Sequence, residues 1–219
     1  MVPVKYPRTP HLPGSPGSTS DDKWLSEAAL NFLSSGIELV ATEKMDGGNI
    51  TLARDFMHAR STDSQMGAYE NRAKARWQEF RHEIPENLRI SAESLYARRS
   101  VGYEDLADVL LVFGMWEDDL ALSWREVKEY AELLGLSTVP ELYVGNDFEK
   151  AVNIWRRQQK ALETLGTPRE SEGFVVRNAG SFAMEDFSLN VAKWVRADHV
   201  RTTADWRSRD DFELNGFRA

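Results

Sequence analysis

The longest uninterrupted run of apolar residues and glycine in this chain extends from Val109 to Trp116. It is long enough for a strand buried on both faces and far too short to cross a membrane as a helix. The elements predicted on either side of it are mixed. Asp21-Asp22 precedes Trp24, Leu25, Ala28, Ala29, Phe32 and Leu33, which recur at helical spacing until Gly36, so a short amphipathic helix is expected there. Ile37 to Thr42, Ile50 to Arg54 and Phe56 to Arg60 are short and rich in apolar or β-branched residues, and read as strands joined by tight turns. A helix is expected from Ala68 to Glu83, ahead of Pro85, and a strand from Leu88 to Tyr96. Ser123-Trp124-Arg125-Glu126 has the form of a capping box opening a helix that stops at Gly135. A further helix should run from Asp147 to about Leu165, followed by strands near Phe174 to Arg177 and Ala192 to Val195. Helices and strands do not alternate regularly, and no repeat is visible, so the expected class is α+β with mainly antiparallel sheets.

Composition narrows the chemistry. Cysteine is absent, which removes disulfides, thiolate metal sites and a cysteine nucleophile, and is compatible with a reducing cytoplasm, the expected location. The start lacks the layout of a signal peptide. With 27 Lys+Arg against 35 Asp+Glu the net charge is −8, so duplex binding through overall charge is disfavoured, whereas a local basic groove remains open. Five of the eight prolines fall within residues 1–22, which reads as an extended arm preceding a domain of residues 23–219. His11, His58, His82 and His199 lack zinc-site spacing, and neither a nucleophile elbow nor a P-loop is present.

The most informative segment is Glu43-Lys44-Met45-Asp46-Gly47-Gly48-Asn49. It places one lysine where an apolar strand meets a polar, glycine-rich turn. A desolvated amine beside positive charge is favoured in its neutral, nucleophilic form. The same residues also suit a β-hairpin with an exposed lysine, and Asp46 is either a turn former or a ligand. Glu93 and Glu172 are carboxylates set in apolar strands, so each needs a cation, metal or hydrogen-bond donor nearby. Phe113 is either core or a stacking surface.

These residues resemble the covalent nucleotidyltransferases, the superfamily of polynucleotide ligases and mRNA capping enzymes. Lys44-Met45-Asp46-Gly47 matches the Lys-x-Asp-Gly nucleotide-accepting motif, and Asn49 resembles the RNA ligase branch. Arg60-Ser61, Glu93 in Ser91-Ala92-Glu93-Ser94, Phe113 in Val112-Phe113-Gly114, Glu172-Gly173-Phe174-Val175-Val176-Arg177 and Lys193-Trp194-Val195-Arg196 resemble the later motifs in order. The opening from Lys5 to Gly17 resembles small bacterial and phage RNA ligases, which moves the arm toward an ordered lid or brace. Two departures stand out. Val195 occupies the place of a second motif lysine, and the chain ends soon after Arg196, which leads to the expectation that no oligonucleotide-binding domain follows.

The resemblance implies two mainly antiparallel sheets around an ATP pocket, and ATP-dependent RNA ligation through lysyl-AMP. Lys44 would be the nucleophile and Lys193 a second catalytic group. Glu43, Asn49, Arg60, Glu93, Phe113, Arg177 and Arg196 would bind the nucleotide, and Glu172 and Asp46 would place Mg²⁺ or Mn²⁺. Arg98, Arg99 and His11 would meet RNA. The substrate would be RNA with 5′-phosphate and 3′-OH ends, with an end-healing kinase or phosphatase as the partner that prepares them and no membrane involved. Arg156, Arg157, Lys160, Arg201, Arg207 and Arg209 read as solvated surface or an RNA track. A DNA ligase, a capping enzyme, and a binding module that has lost turnover are the alternatives.

Overall fold

The computed structural model describes residues 1–63, 66–164, 171–197 and 212–218. They fall into two compact units, one of residues 7–45, 139–164 and 171–197, the other of residues 1–6, 46–63, 66–138 and 212–218. The class is α+β, as expected from the irregular order of elements. Among the described residues no helix is long and apolar enough to cross a membrane.

In the first of these units, α1 (Glu27–Leu33) precedes β1 (Leu39–Lys44). The helix starts three residues beyond Trp24 because Ser26 caps it, its hydroxyl accepting the Ala29 N–H at 3.2 Å. Trp24 is held in an extended bridge to His11 instead. Gly36, at φ +87°, follows the helix as expected. The later elements are β8 (Glu141–Gly145), α4 (Phe148–Thr164), β9 (Gly173–Asn178), β10 (Phe182–Ala183), α5 (Phe187–Asn190) and β11 (Val191–Val195). Strands β11, β9, β1 and β8 form an antiparallel sheet in that order. One face of it carries Leu39, Ala41, Phe174, Val176, Ala192 and Trp194, and packs on Ala29, Leu33, Ala151 and Trp155 from α1 and α4. Phe174 and Trp194 stack with centroids 6.0 Å apart. Burial of the larger of these side chains, such as Leu33, Leu39, Phe174 and Val176, at about 1.5–3 kcal/mol each, drives the unit together.

The other unit contains β2 (Gly48–Leu52), β3 (Met57–Ala59), α2 (Asn71–Phe80), β4 (Leu88–Ser94), β5 (Leu110–Glu117), β6 (Leu120–Ala121), α3 (Trp124–Leu133) and β7 (Ser137–Thr138). Strands β6, β5, β4, β2 and β3 lie in that order and are antiparallel, and β7 joins β5 in parallel. The capping box of α3 is formed: the Ser123 hydroxyl accepts the Glu126 N–H, and the Glu126 carboxylate accepts the Ser123 N–H at 2.8 Å. Helix α2 buries Ala73, Trp77 and Phe80, and the Trp77 indole N–H donates to the Ala53 carbonyl at 2.9 Å.

The hairpin alternative for the Lys44 turn does not hold: β1 pairs with β8 and β9, and β2 pairs with β3 and β4. Residues 45–47 therefore carry the chain from one sheet to the other, and both ends of the glycine-rich turn are tied to backbone outside it.

Candidate functional site

Lys44 ends β1, and strand alternation decides its neighbours. Residues paired across an antiparallel sheet share a face, as do residues two apart along a strand. Lys44 lies opposite Gly173, Val40 opposite Arg177, and Lys193 opposite Val175. Lys44, Arg177 and Lys193 therefore share the face turned away from the Phe174–Trp194 core. Glu43 is on the other face, is buried, and donates its backbone N–H to the Pro140 carbonyl at 2.9 Å. The sheet does not bring the Glu43 side chain to the Lys44 face.

Glu172 is in the segment leading into β9, with 8% of its side chain exposed, and its Oε2 lies 2.6 Å from Lys44 Nζ, which is 26% exposed. This pair is the partner that a carboxylate among apolar residues requires. The Glu172 carbonyl accepts the Arg196 N–H at 3.0 Å, which ties the residue after β11 to the same corner. Arg196 Nε and Nη2 are buried with no hydrogen-bond partner among the described residues. Gly173 is required here: it has φ +154°, and an added Cβ would overlap the Trp194 carbonyl oxygen.

Lys193 Nζ lies 3.5 Å from Asp22 Oδ1. Burial lowers the Lys193 amine below its ordinary value and the neighbouring Lys44 charge adds to this, while Asp22 and Glu172 oppose it. Burial pushes the Asp22 carboxyl up, but the Thr19 N–H, the Lys193 charge and the Thr19 hydroxyl outweigh it and bring it to about 2.

The other unit gathers a second set. Gly47 donates its N–H to Glu93 Oε1 at 3.0 Å, and a Cβ on Gly47 would strike the Ser94 carbonyl oxygen and the Glu93 side chain. Asn49 is paired with Glu93 across β2 and β4, and its carbonyl accepts the Arg60 N–H at 2.9 Å. Asn49, Arg60 and Glu93 are thus assembled around the turn. Asn49 Oδ1 is buried with no hydrogen-bond partner among the described residues. Asp46 is engaged locally: its Oδ2 accepts the Val101 N–H at 2.8 Å, and its own N–H donates to Tyr103 Oη at 2.9 Å. Phe113 sits at the bulge where β5 shifts register against β4, half-buried, with the Tyr6 ring edge-on at 5.2 Å.

Of the RNA-contact candidates, Arg99 stands over the turn, its Nη2 3.0 Å from where a Gly48 Cβ would be. Arg98 is exposed and lies 3.3 Å from Glu213. His11 is 1% exposed, which sets it in the interior and not at an RNA-facing surface; Nδ1 is 2.8 Å from Ser15 Oγ, and Nε2 is 3.4 Å from Asp22 Oδ2. Arg201, Arg207, Arg209 and His199 lie outside the described residues.

Sequence reasoning missed Glu70, Asp22 and Tyr103. Glu70 is buried, accepts the Ser94 hydroxyl proton, and has Oε1 2.6 Å from where a Gly48 Cβ would stand. No motif marks it. Asp22 was legible only as a residue ahead of a helix. Among the described residues no three His, Asp or Glu side chains cluster as a metal cage. A divalent ion held by one or two carboxylates, water and substrate phosphates, the usual Mg²⁺ arrangement, fits these residues.

A family model described as RNA ligase matches residues 37–195. Among solved structures, an archaeal ATP-dependent RNA ligase is similar at a TM-score of 0.56 and 19% identity, over 88% of this chain and 48% of that one. A Naegleria gruberi RNA ligase mutant with ATP and Mn is similar at a TM-score of 0.53 and 16% identity, over 82% and 56%. The Naegleria gruberi enzyme with PPi is similar at 0.52 and 16%, over 90% and 61%. The chain thus spans about half the length of these structures, and at such identities the likeness is one of fold. No curated protein matches the chain.

Proposed function

Because the chain belongs to the RNA ligase family, we propose that it is an ATP-dependent RNA ligase that carries AMP on Lys44. The observation that carries this reading is the Lys44 corner: Nζ lies 2.6 Å from Glu172 on a sheet face shared with Arg177 and Lys193. That is one amine with an adjacent proton acceptor and a cationic surround, the set that phosphoryl-type transfer requires.

In the first step the Lys44 ammonium gives one proton to solvent and the neutral amine attacks the α-phosphorus of ATP. An N–P bond forms, the P–O bond to pyrophosphate breaks, and a second Nζ proton passes to the nearest carboxylate, Glu172. In the second step an oxygen of an RNA 5′-phosphate attacks the adenylyl phosphorus, a P–O–P bond forms, the N–P bond breaks, and Nζ takes its proton back from Glu172. In the third, an RNA 3′-OH attacks that phosphate, a phosphodiester forms and AMP leaves. Lys193, Arg177 and Arg196 balance phosphate charge, and the two buried Arg196 nitrogens that have no hydrogen-bond partner among the described residues suit phosphate oxygens. Mg²⁺ or Mn²⁺, when bound, neutralises the phosphate oxygens; Glu172 and water would hold it, and Asp46 fixes the turn or joins it.

Glu93 takes the ribose, with Asn49 and Arg60 beside it, and Phe113 gives adenine a stacking face. Arg99, and Arg98 on the surface, grip RNA phosphates. Residues 1–22 brace a nucleotidyltransferase domain of residues 23–219, acting in the cytoplasm on 5′-phosphate and 3′-OH ends that an end-healing kinase or phosphatase prepares.

The test is joining of 5′-phosphorylated RNA with ATP and Mg²⁺, alongside pre-adenylylated RNA without ATP. Joined product in both reactions is expected. Failure of both refutes the ligase reading.

A further inference from the structure

The first residues of the chain do more than extend from it. Pro10 and Leu12 bond the two sides of Lys193: its N–H donates to the Pro10 carbonyl at 2.9 Å, and its carbonyl accepts the Leu12 N–H at 2.8 Å. His11 bridges in parallel to Lys193 on one side and to Trp24 on the other. Residues 10–12 and 23–25 therefore continue the four-stranded sheet past β11. Ser15 fastens the same edge, its hydroxyl accepting the Val195 N–H at 2.9 Å. This path delivers Asp22 to the Lys193 ammonium. Its Oδ2 is held at 3.0 Å by both the Thr19 N–H and the Thr19 hydroxyl, and lies 3.4 Å from His11 Nε2, while Oδ1 faces Lys193 Nζ at 3.5 Å.

Two ammonium groups on one sheet face repel each other, so each needs its own counter-charge. Lys44 takes Glu172 from the motif region, and Lys193 takes Asp22 from a segment 171 residues away in sequence. We propose that Asp22, backed by Thr19 and His11, is a positioning residue for Lys193, fixing its Nζ on the Lys44 face where it meets the phosphate passing to Lys44. This rests on the lysyl-AMP reading above. The pair also accounts for a buried histidine and an aspartate that the transfer chemistry does not itself use.

The experiment compares wild type, Asp22→Asn, Lys193→Ala and the double variant in single-turnover AMP transfer from ATP, with the side-chain NMR signal of Lys193 followed in parallel. Asp22→Asn is expected to slow transfer roughly tenfold to hundredfold, as misplacement of a reacting group does, with the KM for ATP little changed. In the Lys193→Ala background it should cost nothing more, and Asp22→Glu should recover most of the rate. The Lys193 signal, identified by its loss in Lys193→Ala, should move in Asp22→Asn and stay in place in an Asp147→Asn control. An Asp22→Asn loss that persists in full without Lys193, or a Lys193 signal that does not move, overturns the proposal. If the wild type takes up no AMP, the lysyl-AMP reading fails by itself, and the Lys193 signal still decides whether Asp22 places this lysine. Thr19→Val, which withdraws one of the bonds holding Asp22 and leaves its charge, should move the same signal by less and keeps the test open if asparagine at 22 disturbs the fold.

Discussion

Gly173→Ala should damage this protein far more than its single methyl suggests. Gly173 opens β9 between Lys44 on β1 and Val195 on β11, at φ +154°. A Cβ there would overlap the Trp194 carbonyl oxygen and stand 3.0 Å from Trp194 C and 3.1 Å from Val195 Cα. All three are backbone atoms, so no rotamer change relieves the clash, and ordinary contact begins only at 3.4 Å. The end of β11 must withdraw, breaking its terminal pairing with β9 and the 3.0 Å bond from Arg196 N–H to Glu172. Two lost hydrogen bonds at about 1 kcal/mol each, with backbone strain of about 1–2 kcal/mol, give about 3–4 kcal/mol in all. For a chain of this size that lowers the unfolding midpoint by roughly 6–16 °C. Gly135→Ala is the control, since Gly135 has φ +63° but nothing within 4 Å of an added Cβ. It should cost about 1 kcal/mol of conformational strain, a shift of roughly 2–4 °C. Scanning calorimetry compares the two. A Gly173→Ala midpoint no lower than that of Gly135→Ala would refute the close-approach argument.

Leu33→Ala, in the core beneath the Lys44 sheet, should cost about 3 kcal/mol of unfolding free energy, read by urea titration. Burial raises the Glu70 carboxyl above its ordinary 4.5, against the Ser94 hydrogen bond and the Arg99 charge. Its contribution to stability is therefore present below pH 4.5 and lost as the pH rises through the raised value. Glu70→Gln should accordingly gain on the wild type as the pH climbs above 4.5, and an unchanged difference across that range would contradict the assignment. Arg196→Ala removes a guanidinium whose Nε and Nη2 have no hydrogen-bond partner among the described residues. It should leave the midpoint within about 3 °C of wild type and weaken ATP binding roughly tenfold or more, as loss of a charge-assisted contact does, measured by calorimetry.

Much of the fold could be read from local chemistry. The Ser123–Glu126 box and the stops at Gly36 and Gly135 fix helix ends through side-chain and backbone preferences that act within a few residues. Val109 to Trp116 carried its own burial signal. β8 did not, because Glu141 to Gly145 is half-exposed and shows no clean alternation; it is a strand because β1 offers it an edge. The separation of β1 from β2 was hidden for the same reason, since a glycine-rich turn looks alike whether it closes a hairpin or crosses between sheets. Among the site residues, the motifs named Lys44, Glu93 and Glu172 but not their contacts; the pairing of Lys44 with Glu172 and of Glu93 with the Gly47 N–H comes from the structure. Period-two alternation along one strand already sets Glu43 and Lys44 on opposite faces, whereas spacing gave no hint of Asp22 reaching Lys193, which depends on which segment lies alongside β11. The proline-rich opening was legible as extended chain, and its role as a sheet edge came from pairing with β11.

The central claim is that Lys44 carries AMP, and the intact mass of the purified protein tests it most directly. After incubation with ATP and Mg²⁺, the wild type should gain about 329 Da, one adenylyl group, as covalent nucleophilic catalysis requires. Pyrophosphate should remove the added mass, GTP should add none, and folded Lys44→Ala should stay unchanged. A Lys44→Ala protein that still gains the adenylyl mass, or a wild type that neither gains it with ATP nor loses it to pyrophosphate, would contradict the account.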